Sequence, residues 1–392
     1  MRACIVSFKE CWQDDTGQWV SYGGFPLQMT AVASLFDVTT LVVVRGRPRP
    51  GGMPLPRVRT VVALRAPTGA NGRRKLSVLL RLPYYLSAIG WHMRQADVVH
   101  VPLPGDIAFL GMLTALAFRK RVLARYGGSW EPTSETTFMN RVTRECMRQC
   151  ARSPRNVMLA TGTGLEPPSP GIEWIFSTAI SEREVETVRP DLSRLPGHPM
   201  RLAYVGRLSP EKGVKHLICA LQMLRSEVPL AGEMPHLTVI GGGPEDHALR
   251  RLVEDLGCTA YVRFIGQLTR GELVQELQRA DLCVLPSLTE SFCKARLDAM
   301  VCGVPVITTE VGFGRDIVGS DGERGWVVPA GDAAALAHLL GRVLATPLDW
   351  PGLRARCRTY ATRHTLERWT RDIGARCAKQ WGLRFVGGRL VA

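Results

Sequence analysis

The sequence predicts an α/β protein with two domains, each built around a parallel β-sheet. Along most of the chain, short apolar segments alternate with longer amphipathic ones, which is the order of strands and helices in a parallel sheet covered by helices on both faces. A chain of 392 residues accommodates two such domains more readily than one. Three prolines and a glycine lie between Pro190 and Pro199, and this composition indicates the interdomain linker.

The C-terminal half shows the alternation most clearly. Its predicted strands are short and apolar, and they lie at about Arg201–Gly206, Leu237–Ile240, Val262–Ile265, Leu282–Leu285, Val304–Thr308 and Trp326–Val328. In the N-terminal half, the first strand is expected at Ala3–Ser7 and a helix from about Lys75 to Met93. The expected domains are therefore residues 1–195 and 196–365.

The composition is that of an ordinary globular protein, with 45% hydrophobic and 22% charged residues. The eleven cysteines are scattered and several lie within apolar runs, which indicates buried free thiols in a reducing compartment. Cys146 and Cys150 are spaced i, i+4, but no paired cysteine or histidine motif accompanies them, so no metal site is expected. No apolar run approaches the ~20 residues that span a bilayer, and the first residues indicate a strand rather than a signal peptide. A cytoplasmic protein is therefore expected.

Positive charge is concentrated in the N-terminal half. The net charge is +15, and residues 45–125 contain 15 Lys and Arg residues against two acids, Asp97 and Asp106. Such a block indicates an anionic partner, namely a membrane surface, a nucleic acid or a phosphorylated substrate, unless it is simply a solvated basic face. Residues 71–93 combine cations with leucines and tyrosines, so this segment is either an amphipathic helix on an anionic membrane or part of the core.

Candidate binding residues follow the predicted strands, because ligands of an open parallel sheet bind beyond the carboxyl ends of its strands. Arg207 and Lys212 share the short loop after the strand Arg201–Gly206. Two cations on one loop could converge on a diphosphate, where charge-assisted hydrogen bonds are strongest, although they could also be solvated surface residues. The glycine-rich turn 241–243 is a weaker signal, because glycines also permit a tight connection between strand and helix.

Two acids flank the start of a helix predicted from about Phe292 to Val301. Glu290 precedes this helix and Asp298 follows eight residues later, so their backbones are on the order of 12 Å apart. Between them, the helix N-terminus offers free N–H groups and a partial positive charge that suit a phosphate. This span fits a sugar nucleotide, which has hydroxyls at both ends and a diphosphate between them. Taken singly, each acid could instead be an ordinary polar residue of a helix.

These residues belong to a longer pattern, from about Leu202 to Leu344, that resembles the donor-binding domain of glycosyltransferase family 4. The segments that carry the resemblance are VGRLSPEKG at 205–213, VIGGGP at 239–244, VRFIG at 262–266, ADLCVLPS at 280–287, the stretch 290–305 and GWVVP at 325–329. The resemblance implies the GT-B fold, in which two Rossmann-like domains with parallel sheets face each other across a cleft. The N-terminal domain would bind the acceptor and the C-terminal domain the donor. The C-terminal segment 366–392, with a helix from about Leu366 to Trp381, would pack back on the first domain.

The resemblance also implies roles for individual residues. Arg207 and Lys212 would bind the diphosphate and stabilise the leaving nucleotide in place of a metal, so that no cofactor is expected. Glu290 and Asp298 occupy the family's E-x(7)-E positions, the first acid beside the donor sugar and the second at the ribose. Arg207, Lys212 and Glu290 are thus the expected catalytic residues. The residues expected around the donor are Gly23, Gly24, Gly206, Arg207, Lys212, Gly243, Glu290, Ser291, Phe292, Cys293, Lys294 and Asp298.

The sequence departs from the family pattern at three donor positions. Asp298 replaces the usual glutamate and is one methylene shorter. Cys293 stands where glycine or another small residue is common, and Lys294 where an apolar residue is common. Lys294 leads to the hypothesis of an acidic donor sugar or a further phosphate contact.

The N-terminal half matches the family less closely. The segment 21–24, with Gly23 and Gly24, resembles a glycine loop near the donor phosphates, or is an ordinary start of a helix. His100 and Tyr126 are the expected acceptor residues. For His100, a packing role in the core is an equal alternative, and Tyr126 stands where the family commonly has histidine.

The resemblance therefore implies a retaining glycosyltransferase that moves a hexosyl-type group from a nucleotide-diphosphate sugar to a hydroxyl, in glycan, exopolysaccharide or glycolipid biosynthesis. A glycan or lipid-linked acceptor is expected. If the acceptor is lipid-linked, the basic and apolar segment 71–93 would bind the inner face of the plasma membrane, where that acceptor lies. Nucleic acid is the less favoured partner. Two other classes stay open: a sugar-nucleotide epimerase or phosphorylase-like protein of the same fold, and a non-enzymatic basic binding protein on a decayed transferase fold.

Overall fold

The chain divides into two compact units. The computed structural model describes residues 1–49, 52–55, 57–69, 71–132, 136–226, 233–290 and 292–391. The first unit comprises Met1–Ala179 together with Leu366–Ala392, and the second comprises Ile180–Thr365. The first unit ends before the proline-rich segment 190–199, whose residues belong to the second unit.

The elements of the described residues are numbered in chain order. The strands are β1 (Arg2–Gln13), β2 (Trp19–Ser21), β3 (Val38–Arg45), β4 (Met53–Pro54), β5 (Thr60–Leu64), β6 (Val98–Leu103), β7 (Arg121–Tyr126), β8 (Asn156–Thr161), β9 (Ile172–Ile175), β10 (Arg201–Val205), β11 (His236–Ile240), β12 (Val262–Gly266), β13 (Leu282–Leu285), β14 (Val306–Thr309), β15 (Gly325–Val328), β16 (Arg384–Val386) and β17 (Arg389–Val391). The helices are α1 (Phe25–Ala33), α2 (Asn71–Leu80), α3 (Leu82–Met93), α4 (Asp106–Ala117), α5 (Phe138–Cys150), α6 (Glu182–Thr187), α7 (Val214–Ser226), α8 (Asp246–Asp255), α9 (Arg270–Arg279), α10 (Lys294–Val301), α11 (Gly314–Val318), α12 (Ala333–Ala345), α13 (Trp350–Thr362) and α14 (Leu366–Trp381), with a 3-10 turn at Pro210–Lys212.

The first unit is organised around a parallel sheet with the strand order β5-β3-β1-β6-β7-β8-β9. Its inner strands are buried on both faces, and every residue of β6 and β8 is buried. This pattern is the one expected for parallel strands that are covered by helices on either side. The short strands β2 and β4 extend the sheet as an antiparallel ribbon from the end of β1.

Helix α14 covers one face of this sheet. Its buried residues recur every three or four positions, so a single apolar stripe faces the core. Trp369 and Ile373 of this stripe join a cluster that includes Leu123 of β7 and Leu159 of β8. The chain then turns into the antiparallel hairpin β16–β17, and Leu390 N–H donates to Leu35 O at 3.0 Å.

The helix predicted from Lys75 to Met93 is in fact two helices, α2 and α3, which meet at Arg81. Pro83 lies in the first turn of α3. Because proline has no N–H and its ring crowds the preceding turn, it cannot continue a helix from α2 but is well placed to begin a new one. The first strand is also longer than predicted, because β1 continues through an irregularity between Val6 and Glu10.

The second unit contains a parallel sheet with the strand order β12-β11-β10-β13-β14-β15. The order reverses between β10 and β13, which makes their carboxyl ends the switch point where doubly wound sheets bind ligands. The predicted fold class, α/β with two parallel-sheet domains, is confirmed.

At the opposite edge of this sheet, Asp281 holds three arginines and the segment before β10. Its carboxylate is fully buried and lies 2.7 Å from Arg194 Nη1, 3.3 Å from Arg201 Nε and 3.4 Å from Arg354 Nη2. It also accepts the N–H groups of Gly197 and Arg201, at 3.1 and 2.9 Å. The segment predicted as a linker is therefore fixed to the second unit, in part through this buried carboxylate.

Two further expectations concern cysteines and membrane spans. Each of the eleven cysteines, all within the described residues, is a free thiol, and most are buried. No helix in the described ranges is both long and apolar enough to cross a bilayer.

Candidate functional site

The candidate site is built where the loops after β10 and β13 meet. The N–H groups of Leu288 and Thr289 donate to Glu211 O, at 2.9 and 3.4 Å, and so join the two loops. Gly213 makes this approach possible, because it has φ +66° and a Cβ atom placed there would lie 2.1 Å from Pro286 O. Only glycine tolerates both the left-handed backbone and so close a neighbour.

The glycine-rich turn after β11 joins the same group of loops. Leu208 N–H donates to Gly242 O, and Glu245 N–H donates to Leu208 O, each at 3.0 Å. A Cβ atom on Gly243 would lie 2.1 Å from Leu208 O. Gly243 therefore lets the β10 and β11 loops pack backbone against backbone.

Lys212 and Glu290 form an ion pair between the β10 and β13 loops. Their side chains are 24% and 14% exposed, so the pair is mostly shielded from solvent. Burial alone would lower the pKa of the Lys212 ammonium, but the negative charge of Glu290, aided by Cys293 and Glu211, outweighs burial and raises the pKa above its ordinary value. Lys212 therefore stays charged at neutral pH.

Arg207 lies on the same loop but is exposed to solvent. Its carbonyl accepts the Tyr204 hydroxyl at 2.9 Å, which fixes the backbone of the loop. Among the ion pairs of the described residues, none involves the Arg207 guanidinium. The site thus combines one cation paired with a carboxylate and one cation available to an anion.

Asp298 has a different cation partner from Glu290. Its Oδ1 lies 2.8 Å from Arg270 Nη2, and Arg270 also contacts Glu184. The two acids of the predicted motif are therefore held by two different elements, the β10 loop and the start of α9.

The turn before α10 brings together three of the remaining predicted donor residues. Cys293 precedes the helix with φ +51°, a left-handed conformation that favours glycine. Burial, with a smaller effect of Glu290, raises the pKa of its thiol to about 11, so the thiol stays neutral. Phe292 is buried, and Lys294 is the half-buried first residue of α10. Ser291 lies outside the described residues.

Arg296 organises this turn from inside the protein. Its guanidinium is fully buried and donates to Thr308 Oγ1 at 3.0 Å, Phe292 O at 3.2 Å and Val311 O at 3.5 Å. One side chain thus ties the turn to the end of β14. Neither Arg296 nor Arg270 stands out in the sequence, because an arginine within or at the start of a helix is normally a surface residue.

In the first unit, His100 and Tyr126 are both buried. His100 Nδ1 lies 2.8 Å from Leu123 O, and burial, together with the charge of Arg125, lowers its pKa to about 3. The Tyr126 ring packs edge-on against Trp130, with centroids 5.6 Å apart. Both side chains lie within the core, and neither faces an open surface of this unit.

Gly23 and Gly24 lie just before α1, and they follow β2 rather than β1. Gly23 has φ +70°, and the space around its Cα is open. The loop therefore exposes backbone at the carboxyl edge of the first sheet. Among the described residues of either unit, no group of three or more His, Cys, Asp or Glu side chains is arranged to hold a metal ion.

The sequence of this chain is similar to sequences of known glycosyltransferases. The family model for "Glycosyl transferases group 1" matches residues 190–364. A D-inositol 3-phosphate glycosyltransferase of Corynebacterium urealyticum is 31% identical over 211 residues, which are 52% of this chain and 49% of that protein. A GDP-mannose-dependent alpha-(1-6)-phosphatidylinositol monomannoside mannosyltransferase of Mycolicibacterium smegmatis is 35% identical over 184 residues, 45% of this chain and 46% of that protein. The chain spans about half the length of these curated relatives.

The fold is shared over nearly the whole chain. The crystal structure of Anabaena Alr3699/HepE in complex with UDP matches with a TM-score of 0.70 and 16% identity, covering 97% of this chain and 100% of that one. The fold is thus the GT-B fold of these structural neighbours, among them WaaG, a glycosyltransferase involved in lipopolysaccharide biosynthesis. The group 1 glycosyl transferase model covers residues 190–364, which contain the β10 and β13 loops, so the resemblance predicted from the sequence is confirmed for this part of the chain.

Proposed function

We propose that this protein is a retaining glycosyltransferase that moves a sugar from a nucleotide-diphosphate donor to a hydroxyl of a glycan or lipid-linked acceptor. The observation that carries the proposal is the Lys212–Glu290 ion pair, which lies at the switch point of the second sheet with the exposed Arg207 on the same loop. Similar proteins support the donor class, since one is a GDP-mannose-dependent mannosyltransferase and a structural neighbour was solved with UDP.

In this proposal the protein's own cations stabilise the leaving group. As the bond between the sugar and the diphosphate breaks, negative charge grows on the diphosphate. Arg207 and Lys212 would bind it, supported by the N-terminus of α10. No metal is required for this step. The acceptor would attack from the face that the nucleotide leaves, so that the anomeric configuration is retained.

Glu290 would lie beside the donor sugar and Asp298 at the ribose. The pairing of Glu290 with Lys212 supports this assignment, because one carboxylate then both orients the lysine and limits where the sugar hydroxyls can bind. A bound diphosphate would compete for Lys212 and so free Glu290 for the sugar.

The test is a donor panel with and without acceptors. UDP- and GDP-sugars are expected to raise the midpoint of thermal unfolding, since a ligand that binds only the folded state stabilises it in proportion to its affinity. A donor that shifts the midpoint should be consumed only when an acceptor is present. Conversion of the donor without an acceptor would indicate an epimerase, and no binding of any sugar nucleotide would refute the proposal.

Lys294 is proposed to adjust donor choice towards an acidic sugar or a further phosphate. Its place at the first position of α10, directly after Cys293, supports this proposal. Lys294→Ala should lower the preference for UDP-glucuronic acid over UDP-glucose in direct competition. An unchanged preference would rule out this role.

We further propose that the first unit binds an anionic membrane surface. Helices α2 to α4 bury Tyr85, Ile89 and Met93, yet this region exposes eight large apolar residues: Leu76, Leu79, Leu80, Tyr84, Leu86, Trp91, Leu113 and Phe118. Exposed cations accompany them, including Arg73, Lys75 and Arg94. Beside Trp91, a cavity of about 460 Å³ is lined in part by Arg2 and Arg59. Apolar side chains with surrounding cations suit the interface of an anionic bilayer.

Vesicle flotation tests the membrane proposal. Binding to phosphatidylglycerol vesicles should exceed binding to phosphatidylcholine vesicles, and it should weaken in Leu79→Ser/Leu80→Ser. Leu165→Ser is the control, because Leu165 is an exposed leucine of the first unit that lies outside α2 to α4. Vesicle binding that is the same with and without anionic lipid, and at low and high salt, would contradict the proposal. Steeply salt-dependent RNA binding without nucleotide-sugar binding would favour the non-enzymatic alternative.

A further inference from the structure

Arg270 lies between two carboxylates in the second unit. Its Nη2 is 2.5 Å from Glu184 Oε1 and 2.8 Å from Asp298 Oδ1, and its Nε donates to Glu184 Oε1 at 2.8 Å. The side chains of Arg270, Glu184 and Asp298 are 25%, 16% and 12% exposed. We refer to these three residues as the Arg270 cluster.

Local sequence fixes where Arg270 lies. Thr269 caps α9 in a capping box with Glu272, which makes Arg270 the first residue of that helix. Because α9 follows β12, its first turn lies at the carboxyl edge of the sheet, and α10 likewise begins at that edge after β13. Arg270 therefore reaches Asp298 from the side of the sheet where a ligand is expected.

The Arg270 cluster contains two carboxylates and one guanidinium, so ionised carboxylates would leave one negative charge in excess in a mostly buried site. Burial, opposed by Arg270 and reinforced by Asp298, raises the pKa of Glu184. Burial would lower the pKa of Arg270, but the two carboxylates outweigh it and raise this pKa, so Arg270 stays charged. An arginine that is held so firmly gives Asp298 a fixed orientation.

The ion pair with Arg270 distinguishes the two carboxylate oxygens of Asp298. Its Oδ1 is buried against Arg270 in an ion pair that is not aligned as a hydrogen bond. What remains exposed of the side chain therefore lies beyond Oδ1, on Oδ2 and the methylene. Arg270 thus turns one oxygen inwards and leaves the other for a partner. A free aspartate, with a short side chain on a helix, would sample several orientations instead.

We propose that Arg270 is a positioning residue for the donor's ribose: it holds Asp298 so that the second carboxylate oxygen accepts the ribose hydroxyls. This inference rests on the proposed function and extends it to a residue on another helix. It also explains how aspartate can bind the ribose where the family has glutamate. The aspartate side chain is one methylene shorter, but the ion pair with Arg270 fixes its orientation. Arg270 itself need not touch the donor.

The experiment compares ligands with and without the ribose hydroxyls that Asp298 would recognise. UDP, 2′-deoxy-UDP and pyrophosphate are titrated calorimetrically into the wild-type protein, Arg270→Met, Arg270→Lys and Arg279→Met. The last variant is the matched control, since Arg279 ends the same helix and its side chain is 68% exposed. Circular dichroism and the unfolding midpoint of each variant establish that it is folded.

Arg270→Met should weaken UDP binding about 5- to 20-fold and leave pyrophosphate binding unchanged. It should also remove the preference for UDP over 2′-deoxy-UDP, which Arg270→Lys should partly retain and Arg279→Met should retain fully. In Asp298→Ala/Arg270→Met, the losses should not add, because both residues serve one contact. A lower unfolding midpoint with unchanged UDP binding, or an equal loss for UDP and pyrophosphate, would overturn the proposal. A wild-type protein that binds neither UDP nor GDP would instead refute the proposed function.

Discussion

Lys212 and Glu290 are 78 positions apart in the sequence, yet they form an ion pair at the carboxyl edge of the second sheet. The strand order explains the contact, because β10 and β13 are neighbours and their following loops share hydrogen bonds through Glu211 O. The pair places a cation and a carboxylate where a nucleotide-diphosphate sugar would need both.

Lys212→Met should lower kcat/KM for the preferred donor by about 10²- to 10³-fold, the usual loss when one donor to a developing negative charge is removed. Lys215→Met is the control, since Lys215 is an exposed lysine only three positions further along, on α7. Steady-state kinetics of both variants provide the measurement. Equal activity in Lys212→Met and Lys215→Met would show that Lys212 does not act on the leaving group.

The ion pair also predicts a pH dependence of stability. Because pairing with Glu290 raises the Lys212 pKa above its ordinary value of 10.5, the pair's contribution is fully present below that value. It is lost only as the pH rises through the higher pKa of the folded protein. The difference in unfolding free energy between wild type and Lys212→Met should therefore be constant from about pH 7 to about pH 10 and shrink above that range. A difference that already declines between pH 7 and 9 in urea unfolding would contradict this assignment.

Gly213→Ala should destabilise the second unit by about 2–5 kcal/mol and abolish donor binding, because it combines left-handed strain with a clash against Pro286 O. Gly266→Ala separates the two effects. Gly266 also has a positive φ, of +76°, but a Cβ atom added there would meet no other atom within 4 Å. Gly266→Ala should therefore lower the free energy of unfolding by only about 1–2 kcal/mol, through backbone strain, and it should keep donor binding. Equal free-energy losses in urea unfolding would show that the approach of the two loops is unimportant.

Asp281→Asn should destabilise the second unit by about 3–5 kcal/mol, the usual result of removing one partner from a buried ionic network. Arg194, Arg201 and Arg354 would then share a neutral amide, and Arg354 is itself buried. Asp255→Asn at the exposed end of α8 should change stability by less than about 0.5 kcal/mol. Chemical denaturation of both variants tests the difference, and similar losses would show that Asp281 is not a structural centre.

The contact between Lys212 and Glu290 could be anticipated from the sequence because both follow apolar strands, and strand ends meet at one edge of a parallel sheet. The partner of Asp298 could not, because nothing in the local sequence of Arg270 distinguishes it from a solvated arginine at the start of a helix. His100 shows a related limit. A histidine within an apolar strand fits either a ligand site or the core, and the structure buries His100 on the inner strand β6, between β1 and β7. Pro83 is the local signal for the break between α2 and α3, and the prediction of one helix from Lys75 to Met93 did not use it.

Arg296→Met should weaken UDP binding by about tenfold and destabilise the second unit by about 2–4 kcal/mol, although Arg296 lies beneath the candidate site. Methionine fills much of the same volume but cannot donate to Phe292 O, Thr308 Oγ1 and Val311 O, so these buried acceptors lose their partner. The turn that carries Cys293 in a left-handed conformation would then relax towards ordinary helix geometry and withdraw its backbone N–H groups from the diphosphate. Arg315→Met is the control, since Arg315 lies just after β14 with its side chain 63% exposed. Calorimetry with UDP and urea unfolding measure both effects, and a variant that loses stability yet binds UDP normally would show that Arg296 supports the fold without shaping the site.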